Sequence, residues 1–106
     1  MRVVNRHRAT FTHYIGRGSV FGNPFTHLPV QDTKAAVQVD SREEAVQAYE
    51  DWLCGNGWTD FMQDERADII GAIQRLPVNA VLGCYCSPAP CHGDVIVKLY
   101  PAYELA

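Results

Sequence analysis

The run Gly83-Cys84-Tyr85-Cys86-Ser87-Pro88-Ala89-Pro90-Cys91-His92-Gly93-Asp94 decides the fold. Val78-Asn79-Ala80-Val81-Leu82 leads into it as a short apolar segment and reads as a buried strand. Val95, Ile96 and Leu99 follow at helical spacing. Pro88 and Pro90 keep the linking segment extended and exclude a continuous helix. The order is strand, tight polar loop, helix, with Cys86 at the strand exit and Cys91-His92 at the helix start. Amide N–H groups and the positive end of a helix dipole would face that loop. A thiol placed there has a lowered pKa, and an anion placed there is held.

Outward from this run, the preceding chain supplies two helices. Ser41-Arg42-Glu43-Glu44 is a capping box, in which the Ser41 hydroxyl accepts an early N–H and Glu44 reaches back. Ala45, Val46, Tyr49, Trp52 and Leu53 then fall on one helical face, and Gly55 or Gly57 ends it. That face is explained by core packing. A second pattern runs from about Asp64 to Leu76, with Ala67, Ile70, Ile73 and Leu76 as its apolar face and Ile69 alongside; Pro77 closes it. Trp58 and Phe61 are placed over the seam between the helices. Cys54, near a helix end, is assigned no role.

Nearer the N-terminus, Arg2-Val3-Val4-Asn5 reads as a first strand and Phe11-Thr12-His13-Tyr14-Ile15 as a second. The second runs into Gly16-Arg17-Gly18-Ser19-Val20-Phe21-Gly22-Asn23-Pro24-Phe25, an irregular loop by its glycines and Asn-Pro. Such a loop brings backbone N–H groups close to a ligand. Arg17 suits a phosphate or carboxylate, and Phe21 and Phe25 suit stacking on a base. The competing reading is a surface turn whose aromatics pack inward. Residues 26–40 read as loop, with a short extended piece at Ala36-Val37-Gln38-Val39.

The expected fold is a single small α/β domain over residues 1–106. Its sheet is mostly parallel, flanked by about three helices near 41–54, 64–76 and 91–100, and Rossmann-like in order. Ligands collect beyond the carboxyl ends of strands in such sheets. If the strands are parallel, the Gly16–Phe25 and Cys84–Asp94 loops share one edge and face each other.

With 106 residues, 47% hydrophobic and 20% charged, the chain is long enough to bury a core. A net charge of −3 argues against direct nucleic-acid binding. No apolar run approaches a membrane span, and the N-terminus lacks a signal-peptide core, so the expected place is the reducing cytoplasm. Four cysteines there point to metal or reactive thiols rather than disulfides.

Three readings of the cysteine loop stand side by side. Cys84, Cys86, Cys91 and His92 make a Cys3His donor set of the kind zinc takes, although C-x-C-x4-C-H is not the usual knuckle spacing. Cys86, Cys91 and His92 alternatively form a reactive or anion-binding site. In the third reading Cys84 is core, while Cys91 and His92 cap the helix. Asp94 lies in the first helical turn, where its charge suits the dipole.

Taken together, Ile15-Gly16-Arg17-Gly18-Ser19 with Gly22-Asn23-Pro24-Phe25, Arg42-Glu43-Glu44-Ala45-Val46 with Tyr49 and Trp52-Leu53, and Gly83-Cys84, Cys86, Pro88 and Cys91-His92-Gly93-Asp94-Val95 resemble the family called domain of unknown function 4326. Its members are small proteins, many from phages and bacteria. The family supplies no activity. The resemblance implies that Asn5, Arg17, Gly22, Asn23, Cys86, Cys91, His92 and Asp94 belong to one functional surface, and that a phage-encoded copy would work in the host cytoplasm.

Two functions follow as expectations. In the first, a nucleotide-type or other small anionic ligand binds at Asn5, Arg17, Gly18, Phe21, Gly22, Asn23 and Phe25. Cys91, His92 and Asp94 would do any catalytic work. In the second, zinc on Cys84, Cys86, Cys91 and His92 stabilises a module that binds a protein partner.

Overall fold

A computed structural model of the chain describes residues 1–33 and 35–103. Strands β1 (Arg2–Asn5), β2 (His13–Tyr14) and β5 (Val81–Cys84) form a parallel sheet in the order β1-β5-β2. Strands β3 (Phe25–Thr26) and β4 (Val37–Gln38) form a separate parallel pair. The helices are α1 (Arg42–Cys54), α2 (Gln63–Gln74) and α3 (His92–Tyr103). No helix among the described residues is long and apolar enough to cross a membrane.

The α/β expectation holds, with the strands shifted. The segment expected at Val78–Leu82 pairs at Val81–Cys84 instead. Ala80 N–H bonds the Pro77 carbonyl, which makes residues 77–80 a turn and leaves Val78 exposed. The Phe11–Ile15 strand narrows to His13–Tyr14, opposite Leu82 and Gly83. Phe11 is diverted onto the face of β5, where a Cβ on Gly83 would meet its ring at 2.6 Å. Residues 6–12 therefore return across one face of the sheet with no helix. The three helices pack together on the opposite face, with α3 seated on β1.

Local signals explain the helices. Ser41 Oγ accepts the Glu44 N–H at 3.1 Å, while Glu44 Oε2 accepts from Asp40 rather than from Ser41. Gly55, at φ 78°, ends α1 in the left-handed conformation that glycine tolerates. The buried face of α1 is Ala45, Ala48, Tyr49, Trp52 and Leu53. That of α2 is Ile69, Ala72 and Ile73, so Ala67, expected inside, is exposed. Phe61 and Trp58 close the seam as expected, ringing the fully buried Phe25 together with Trp52.

Candidate functional site

Because β2 and β5 are parallel, the loops after them leave the same edge of the sheet. They enclose a cavity of about 470 Å³. Gly16, Arg17, Asn23 and Phe25 line it from one loop, and Cys84, Tyr85, Cys86, Pro90, Cys91 and His92 from the other. The start of α1 supplies Arg42, Ala45 and Val46, while His27, Leu28, Asp32 and Thr33 form a further wall.

The cysteine loop is fixed by Asn5. Its Nδ2 donates to the carbonyls of Tyr85 (3.2 Å) and Ser87 (3.1 Å), and its Oδ1 accepts from the His7 N–H. Asn5 thus braces the site rather than lining it. Strand alternation sends Leu82 and Cys84 toward the helices and leaves Gly83 under Phe11.

Cys91 precedes α3 and caps it. Its sulfur accepts the Gly93 N–H at 3.4 Å, and its own N–H donates to Asp94 Oδ2 at 3.1 Å. This is the reciprocal arrangement of a capping box with sulfur in place of a hydroxyl. The Gly93 amide that was expected to face an anion is engaged by Cys91, and Asp94, exposed and outside the cavity lining, works as a cap.

His92 Nε2 lies 2.6 Å from the Ile15 carbonyl. A carbonyl only accepts, so Nε2 carries the proton and Nδ1 of the neutral ring is an acceptor. Nδ1 faces Cys91 Sγ at 3.7 Å. Burial lowers the His92 pKa to about 4, with the Arg17 charge adding to the effect.

The thiols divide by environment. Cys86 is lowered to about 6, first by a hydrogen bond from the Cys91 thiol and then by the charges of Arg42 and Arg17. Cys91 is pushed up by that same bond and by burial. Thiolate character is therefore favoured at Cys86, half-buried on the cavity wall, over Cys91. The sequence reading held Cys86, Cys91 and His92 as one reactive set and named Cys91 for catalytic work.

The two cavity arginines also differ. Arg17 donates from Nε to the Asn23 carbonyl (3.2 Å) and from a terminal nitrogen to the Phe25 carbonyl (2.9 Å). Burial lowers its pKa. Arg42, which lines the cavity, makes no hydrogen bond or ion pair among the described residues.

Of the other expected ligand residues, Asn23 lines the cavity, but its side chain bonds the Ala45 carbonyl and the Phe25 N–H. Phe25 reaches it from the aromatic core. Phe21 is buried, with its carbonyl accepting from Tyr49. Gly18 and Gly22 are outside the lining. Arg42, Tyr14, His27 and Asp32 are brought in by the fold. Arg42 had a signal, a cation at the start of the capped helix, but the capping box alone absorbed it.

Among the described residues, no group of three or more His, Cys, Asp or Glu side chains is arranged to hold a metal ion. In the Cys84, Cys86, Cys91 and His92 set, His92 Nε2 is engaged by Ile15 and the Cys91 sulfur by Gly93.

A family model described as domain of unknown function (DUF4326) matches residues 3–102. The chain is also similar to an "Uncharacterized 12.4 kDa protein in nrdA-td intergenic region" of Enterobacteria phage T4. The two are 29% identical over 99 residues, which cover 92% of this chain and 75% of that protein. No solved structure matches the chain.

Proposed function

The chain belongs to the DUF4326 family, whose description names no activity, and from the cavity we propose that it binds a small anionic ligand of the nucleotide class. One observation carries this reading: Arg42 lines the cavity with no hydrogen bond to the described protein, its charge acting on the Cys86 thiol. A cation whose hydrogen-bonding positions are left open in a partly enclosed site favours an anion that completes them. Arg17 adds charge from the opposite loop. The volume falls in the range of roughly 300–1,000 Å³ usual for small-molecule sites.

The rest of the wall suits the rest of a nucleotide. Tyr14 and Tyr85 offer rings for a base. Asp32 offers a carboxylate, the acceptor that ribose hydroxyls need. Cys86, as thiolate, is the group placed to act as nucleophile on a bound electrophile, with the Cys91 thiol as its hydrogen-bond donor. We place this activity in the cytoplasm, and in the host cytoplasm where the gene is carried by a phage.

Thermal shift with a panel of nucleosides, nucleoside monophosphates and diphosphates, and sugar phosphates tests the reading. A ligand at one hundred times its Kd stabilises the fold by about 2.7 kcal/mol. Phosphorylated compounds should raise the Tm and nucleosides should do so less. No shift from any phosphorylated compound would remove the proposal.

A further inference from the structure

The net charge of −3 averages two unlike regions. The first acidic residue in the chain is Asp32, and before it stand Arg2, Arg6, Arg8 and Arg17. Seven of the twelve acidic residues fall on α1 and α2. Topology keeps the two apart. The helices pack on one face of the sheet, and the arginine-bearing 6–12 segment crosses the other.

Aromatic rings interleave with the cations on this second face. The Arg6 guanidinium lies 4.9 Å from the Tyr14 ring centre, 5.1 Å from that of Tyr85 and 6.0 Å from that of Phe11. It also donates to the Tyr85 hydroxyl at 3.0 Å. The His7 ring sits 5.2 Å from that of Tyr85. Arg6 is explained by its own contacts, since it staples the crossing segment to β5. Its neighbours stay open to solvent: Tyr85 is 54% exposed, Phe11 37%, and His7, against the Tyr85 ring, and Arg8, next in the chain, are exposed. Tyr14 and Tyr85 also line the cavity, so face and cavity meet at these two rings.

We propose that this face binds a single-stranded nucleic acid, one of whose nucleotides occupies the cavity while its neighbours lie across Tyr85 and Phe11 toward Arg8. The proposal rests on the nucleotide reading of the cavity and extends its ligand from a nucleotide to a strand. Exposed rings stack bases of any sequence, and guanidiniums between them meet the phosphates. A duplex keeps its base faces stacked inside and would leave the rings unused. The segment contributes no carboxylate to repel the backbone. The proposal departs from the expectation drawn from the net charge of −3, because binding here depends on the field of one face.

Fluorescence anisotropy with a labelled oligodeoxythymidylate, beside calorimetry with thymidine monophosphate, tests it. The oligonucleotide should bind more tightly than the mononucleotide, and its affinity should fall as salt rises. Tyr85→Ala should weaken oligonucleotide binding about tenfold or more, and Tyr85→Phe, which keeps the ring, should restore it. Arg8→Ala should lower the salt slope by about one and leave the mononucleotide unaffected. Mononucleotide binding without any gain from the longer strand would overturn this proposal and spare the cavity reading; failure of both probes would overturn both. Equal affinity for a duplex, insensitive to Tyr85→Ala, would reduce the face to generic charge and overturn it. Equal competition by polyglutamate would reassign it to an acidic protein and overturn it as well.

Discussion

His92 Nε2 donates to the Ile15 carbonyl at 2.6 Å, joining the start of α3 to the exit of β2. One bond thus sets three things. It holds the two cavity loops at a fixed separation, it fixes the imidazole tautomer, and it turns Nδ1 toward Cys91. Hydrogen bonding between Cys86 and Cys91 lowers the first thiol and raises the second, so thiolate character is favoured at Cys86.

The first prediction concerns acid stability. His92 is lowered to about 4 in the fold by burial, against about 6.5 in an unfolded chain. The unfolded state binds the extra proton between these values. The stabilisation is therefore complete above about pH 6.5 and lost progressively as pH falls toward 4, by about 1–3 kcal/mol. Tm measured at pH 7 and pH 5 should drop more for the native chain than for His92→Gln, which keeps a donor for Ile15. Equal drops would show that His92 is not the titrating group.

The second prediction concerns the thiols. Iodoacetamide should label Cys86 with a rate that rises through about pH 6 and levels off by neutrality, because only the thiolate attacks the carbon that loses iodide. Cys91 should stay unlabelled in the folded protein, and a chelator should change neither result. Arg42→Ala should move the Cys86 profile to higher pH. Mass spectrometry that finds Cys91 labelled first, or a Cys86 profile centred near the free-thiol value of about 8.5, would contradict the assignment.

The third prediction concerns the seat of α3. A Cβ on Gly93 would come within 2.6 Å of Ile15 Cδ1 and 3.0 Å of a Val3 methyl. Helix propensity alone favours alanine over glycine by about 1 kcal/mol. Overpacking of a buried contact costs about 1–3 kcal/mol and here should prevail. Gly93→Ala should lower the denaturation midpoint in urea, and Gly93→Ala combined with Ile15→Val should recover part of the loss. A stabilised Gly93→Ala would mean that α3 does not sit this close to β1 and β2.

Much of this was legible before the fold was known. The Ser41 box, the Gly55 stop and the Tyr49-Trp52-Leu53 face are local signals, and local signals survive folding. The parallel sheet followed from strand–helix–strand order, and with it the shared edge of the two loops. The extended piece at Ala36–Val39 is realised as β4, whereas its partner β3 was hidden because two residues at the end of an irregular loop have no period to detect. The start of β5 was misplaced because the Pro77–Ala80 turn competes with an apolar run for the same residues. At the site, residue type located the cysteine loop but not its division of labour. The His92 tautomer depends on a carbonyl 77 positions away, at Ile15. Arg17 and Asn23 were noticed as polar groups, yet the fold turns much of both inward to carbonyls of their own loop and of α1. Arg42, read in the sequence only as part of the capping box and the family motif, is a cation that lines the cavity.

The central claim is that the anion site lies between these loops and Arg42. Amide chemical-shift mapping on 15N-labelled protein, titrated with a mixture of the common ribonucleoside monophosphates, tests it most directly. The account predicts saturable shifts clustered at residues 16–17, 23–28, 42–46 and 84–92, with saturation lost or weakened about tenfold or more in Arg42→Ala. Shifts confined to other surfaces, or an unchanged titration in Arg42→Ala, would contradict it.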